Sequence, residues 1–274
     1  MAWCLDFHAS YRCRHAGACC RAGWTIPFED GSVAARTPHD ACSFFDASSH
    51  LCAIHHALGP QALPLTCRMF PRIVLKDDRG TFISLSHFCP TAAGLLFRDI
   101  SEAVIVDAPP ALTGVGELDG LDARGAWPPL LRSGVLMNLE SYATWERRSI
   151  SVLTRDDARP PDALAAVEEA TARIARWTPG SADLLATVHA SFDALGDAAP
   201  AAIDRDAFAV KRWLSARLFG AWAAYQGRDG LPAIPAYLRN CLDTFTREAG
   251  AGDSSLEAIR RSDLLIMHGA ATHE

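Results

Sequence analysis

Thiols dominate the chemistry available to this chain. It has nine cysteines, at 4, 13, 19, 20, 42, 52, 67, 89 and 241, and eight of them fall within the first 89 of 274 residues. Seven of the ten histidines (8, 15, 39, 50, 55, 56 and 87) share that stretch. Thiolates gathered on short loops suit a soft metal: zinc, copper(I) or an iron–sulfur cluster. Cys13, Cys19, Cys20, Cys42, Cys52, Cys67 and Cys89 form the candidate ligand set. Cys19 and Cys20 are adjacent, and a disulfide between neighbours strains the peptide, so they point to metal or to packing. Cys52-x-x-His55 has zinc-like spacing. The other intervals are too wide for a zinc ribbon, whereas a four-thiolate cluster accepts scattered ligands. Cys241 is the exception: it lies at helical spacing from Leu238 and Phe245, which marks a packed helix face.

The segments that must hold these residues follow from periodicity and turn signals. "RIVLK" (72–76) and "TFISLS" (81–86) favour strands and are separated by Asp77-Asp78-Arg79-Gly80, which predicts a hairpin. A short helix is expected before Gly59-Pro60, and another over 91–104 after Pro90. Residues 108–129 are rich in Pro and Gly and read as a linker or long loop, including the "TGVGELDG" stretch. From about 130 onward the pattern is helical. One run follows Pro160-Pro161, a second starts at Ser181, a third spans about 204–225, and a fourth carries Ile234, Leu238, Cys241 and Phe245. Ser254-x-x-Glu257 is a capping box that starts a last helix. The expectation is a mainly α (α+β) chain: a cysteine-rich metal-cluster region with a short β-hairpin at 1–107, a connection at 108–129, and a helical bundle at 130–274.

Composition narrows the partners. Apolar residues make up 49%, charged residues 21%, and the net charge is −6. No basic field is present to attract nucleic acid or an anionic membrane surface. The first residues, MAWCLDFHAS, have neither a basic start nor an apolar stretch, so the sequence predicts no signal peptide and a cytoplasmic protein. Reduced cytosolic thiols favour metal or redox sites over disulfides.

The ordered pieces "CRHAGACC", "CSFF", "CAI", "TCRMFPR" and "SHFCPTAA" carry a resemblance. Together with Gly23-Trp24 they resemble the CxxCxxCC cysteine-cluster family of zinc- or iron-chelating proteins, and within it the flagellin lysine-N-methylase branch. The likeness covers about residues 10–95. Ala16 stands where the motif has its second cysteine, so Cys4 or a histidine is the candidate replacement. Thr91 and Gly94 stand where the branch has an acidic residue and an arginine. The resemblance implies a [4Fe–4S] protein, with zinc as the alternative metal, that moves a methyl group from S-adenosylmethionine to a lysine of a protein or peptide, such as a flagellin-like protein or a precursor peptide. Arg68 and Arg72, which lie beside Cys67, could pair with the carboxylate of that cofactor. Asp46, His55, His56 or His87 could take the lysine proton. Two other readings stay open: a non-enzymatic metal module that binds a partner, and a redox or peptide-modifying metalloenzyme.

Overall fold

The computed structural model describes residues 1–37, 41–98, 101–116, 118–196, 203–226 and 228–268. The fold is α+β, with one five-stranded sheet, two small hairpins and a group of long helices.

In chain order, β1 (Ala2–Leu5) and α1 (Asp6–Ala9) come first, then β2 (Phe45–Asp46), β3 (Leu51–Cys52), α2 (Ala53–Leu58) and α3 (Leu65–Met69). The expected hairpin follows as β4 (Arg72–Asp77) and β5 (Gly80–Leu85). Asp77 pairs with Gly80, so the loop is two residues and not four. Glycine is required at 80: φ is +137°, and a Cβ would stand 2.9 Å from the Met1 carbonyl oxygen. β1 enters at that place, parallel to β5, and β6 (Ile105–Asp107) lies antiparallel on its other side. Between them, α4 (Pro90–Leu96) is shorter than the expected 91–104 helix. The Arg212 guanidinium donates to the Arg98 carbonyl and to Ser101 Oγ, and Ala103 N–H donates to Thr154 Oγ1, which leads the chain extended into β6.

Residues 108–129 contain α5 (Pro110–Thr113) and β7 (Leu121–Asp122), which pairs in parallel with β4 and completes the sheet order β6-β1-β5-β4-β7. A hairpin of β8 (Leu130–Arg132) and β9 (Val135–Leu136) precedes α6 (Leu139–Thr154). Then come α7 (Pro160–Ala175), α8 (Leu184–Asp193), α9 (Arg205–Leu218), α10 (Ala233–Gly250) and α11 (Ser255–His268). Asp183, not Ser181, caps α8 by accepting from Ala186 N–H. α9 stops at 218 instead of 225 because Gly220 turns at φ +62° and donates its N–H to buried Glu146. Ser254 caps α11 as the capping box requires. Among the described residues, no helix is long and apolar enough to cross a membrane.

The sheet is buried on both faces, and the pleat sorts its side chains. Leu5, Leu75 and Phe82 join the helices α6, α7, α9 and α10 in the main core. Cys4, Val74, Ile83 and Leu85 point the other way, into a second core with Tyr11, Met69, Cys89 and Leu112. A third, small core of Ile26, Ala34 and Cys42 lies beneath the cysteine-bearing loops, against Cys20 and Cys67. Cys241 is fully buried among the helices, as its spacing predicts.

Candidate functional site

A single cavity of about 340 Å³ opens between the second and third cores. Six of the seven candidate cysteines line it: Cys13, Cys19, Cys20, Cys52, Cys67 and Cys89. Cys42 is buried behind Cys20 and Cys67. Arg68, Arg72 and His55 are in the same wall.

Local backbone geometry delivers each thiol. The 13–20 loop turns sharply at His15 (φ 54°) and Gly17 (φ 68°), where a Cβ on Gly17 would lie 2.5 Å from the Phe45 ring. Left-handed backbone is costly for a residue other than glycine, so His15 and His50 (φ 57°), both in the cavity wall, hold strained positions. Cys42 N–H donates to the Cys20 carbonyl, fixing the two loops to each other. Cys52 precedes α2, Cys67 lies within α3, and Cys89 precedes α4.

The Cys89 loop is the most firmly held. The fully buried Asp263 of α11 accepts from Ser86 Oγ at 2.8 Å, His87 N–H at 2.7 Å and Phe88 N–H at 3.3 Å. Trp213 Nε1 (3.0 Å) and the Arg217 guanidinium (3.4 Å) reach its other oxygen. On the cavity side, Tyr11 OH lies 3.9 Å from Cys89 Sγ.

All nine cysteines are free thiols. Burial, with the neighbouring Cys19, Cys42 and Cys52, pushes the Cys67 thiol up to about 12. Burial also raises Cys89, against the opposing pull of the Ala92 and Thr91 N–H groups and Tyr11. Cys19 and Cys20 lie 4.0 Å apart; their mutual hydrogen bond lowers Cys19 and raises Cys20. Coordination to a soft cation would take the proton from such a thiol, since a metal ligates the thiolate.

Among the described residues, no three or more Cys, His, Asp or Glu converge on a point where one ion could be held. The thiols instead spread around the wall of one cavity, and Arg14, Arg68 and Arg72 stand among them without an Asp or Glu in the described lining.

Several sequence expectations lie elsewhere. His87 is fully buried, with its Nε2 3.1 Å from His8 Nε2, and does not line the cavity. Asp46 is exposed and bound to Ser48 and Ser49, in a local turn outside the wall. His56 is not in that wall; it borders a neighbouring pocket with His15, Cys52 and His55. Cys4 is fully buried in β1 and does not line the cavity, whereas His15, next to Ala16, is in the wall. His39 falls outside the described residues. Tyr11 and His50 carry no sequence signal for the site, and 110–115 reads there only as part of a linker or long loop, yet all three contribute to the cavity wall. Comparison with protein-family models, curated proteins and solved structures finds no match for this chain.

Proposed function

We propose that the cysteine-rich part of this chain holds an iron–sulfur cluster, and that the protein resembles S-adenosylmethionine-dependent lysine N-methyltransferases acting on a protein or peptide. One observation carries the reading: six cysteines from four separate segments line one cavity whose described wall has no acidic side chain. Four thiolates suffice for a [4Fe–4S] cluster, so the absence of a cysteine at Ala16 leaves enough donors. The bound cluster supplies an iron able to hold the amino-carboxylate end of S-adenosylmethionine.

The chain's own residues have separable tasks. Tyr11 OH and the N–H groups of Thr91 and Ala92 favour the thiolate form of Cys89. Arg68 offers a guanidinium to an anionic group in the cavity. The acceptor amine must lose a proton as its nitrogen takes the methyl group from the sulfonium. His55 is suited to receive it: burial and nearby His15 lower its pKa, which favours the neutral imidazole, and their rings lie 4.4 Å apart.

A second reading, the non-enzymatic metal module, draws on the same wall. Among the described lining residues no carboxylate is present to bind a lysine ammonium. Anaerobic reconstitution with iron and sulfide, followed by metal analysis and electron paramagnetic resonance with and without S-adenosylmethionine, separates the two. A cluster signal perturbed by S-adenosylmethionine supports the methyltransferase. An intact cluster that ignores it leaves the module, and a colourless zinc-loaded protein removes the iron–sulfur reading altogether.

A further inference from the structure

The two arginines beside Cys67 are chemically unequal. Arg72 Nε donates to the Leu112 carbonyl at 2.7 Å, one terminal nitrogen to the Ala111 carbonyl at 2.7 Å, and the other to the Arg68 carbonyl at 3.1 Å. Its guanidinium also lies 5.9 Å from the Tyr11 ring centre. It braces the α5 segment against the cavity. Arg68 has one ion-pair partner among the described residues, Glu29, at 3.3 Å. Its Nε is buried with no hydrogen-bond partner. The Glu29 side chain is 79% exposed and that of Arg68 only 20%.

Glu29 sits on a turn that does not depend on it. Phe28 N–H donates to the Ser32 carbonyl at 2.8 Å, Gly31 N–H to the Phe28 carbonyl at 3.1 Å, and Asp30 accepts from Ser32 N–H at 2.9 Å. A preformed turn therefore presents one exposed carboxylate to a cavity arginine through a single long contact. Such a pair is weak and exchanges readily. The planar fork of a guanidinium binds a carboxylate better through two parallel bonds. Beside Arg68, the wall formed by Leu63, Phe70, Pro90 and Val115 is apolar and can take the body of a ligand.

We infer that Arg68 is the anion anchor of the cavity and that Glu29 competes for it, so a carboxylate-bearing small molecule binds by displacing Glu29. The inference rests on the proposed function only for its first choice of ligand. The displaced Glu29 carboxylate returns to water, where its exposure makes the exchange inexpensive.

The test is isothermal titration under anaerobic conditions, on full-length protein of measured metal content. The probes are S-adenosylmethionine, S-adenosylhomocysteine, methionine and 5′-methylthioadenosine, which lacks the amino-carboxylate. A carboxylate probe should bind the parent protein, weaken about tenfold or more in Arg68→Gln through loss of a charged hydrogen bond, and tighten about two- to fivefold in Glu29→Gln through loss of an exposed competitor. Arg68→Lys, which keeps the charge without the fork, should lie between. Methylthioadenosine should respond to neither variant. Equal carboxylate affinity in the parent protein and in either Gln variant, or no binding by any carboxylate probe, overturns the inference. If methionine follows the expected pattern while S-adenosylmethionine does not bind, the anchor stands and the methyltransferase reading falls.

Discussion

Asp263→Asn tests whether the C-terminal helix holds the Cys89 loop. The parent carboxylate collects donors from Ser86, His87, Phe88, Trp213 and Arg217, and it has no exposed surface. An amide keeps one acceptor oxygen but turns the other position into a donor facing donors. It also leaves the Arg217 guanidinium, 3% exposed, without its counter-charge. Removing one member of a buried ion pair costs about 3–5 kcal/mol. At roughly 2–4 °C per kcal/mol for a chain of this size class, the melting temperature should fall by about 10 °C. Thermal and urea unfolding followed by circular dichroism at pH 7 give the number. Asp263→Asn combined with Arg217→Met removes the uncompensated charge while keeping an acceptor oxygen for the loop, and should recover part of the loss. A drop of less than about 2 °C in Asp263→Asn would refute the reasoning, as would a double variant no more stable than the single one.

Three further outcomes are expected. Burial holds the His8 pKa well below its usual value, so the folded state stays neutral while the unfolded state takes a proton below about pH 6.5; this stability is present above that pH and is lost at about 1.4 kcal/mol per unit as pH falls. His8→Leu should flatten the acid limb of the stability–pH curve, and an unchanged slope would contradict it. Cys241→Ser should keep the parent metal-to-protein ratio while losing about 1–3 kcal/mol from a hydroxyl buried in the helical core; loss of a metal equivalent would make Cys241 a ligand. Single Cys→Ser changes at 13, 19, 20, 42, 52, 67 and 89 should divide into metal-losing and metal-keeping groups, and stripping metal should speed amide exchange over residues 10–95 while α7, α9 and α10 stay protected. If every variant keeps its full metal content, the constellation is not the ligand set.

The parts of the site that were legible in the sequence are those set by local spacing. Cys67 and Arg68 lie on one short helix, and the β4–β5 hairpin follows from two apolar runs around a turn. Asp46 is one of several candidate bases in the sequence; in the structure Ser48 and Ser49, within three residues, donate to its exposed carboxylate, which lies outside the cavity wall. His87 needed non-local information, because its burial depends on His8, delivered by a first strand that inserts beside β5. The bracing role of Arg72 depends on carbonyls about forty positions away. α6 hid its register because its buried face carries Ser141, Thr144, Glu146 and Ser149 as well as Trp145 and Ile150. Glu146 is there to receive Arg79 and the Gly220 N–H.

The Asp263 contact also sets a timetable. The carboxylate that holds His87 lies 176 residues after it, so a chain growing from its N-terminus carries all seven candidate thiols long before the group that steadies the last of them has been made. A prematurely terminated chain that lacks α11 therefore inherits every thiol but not the clasp.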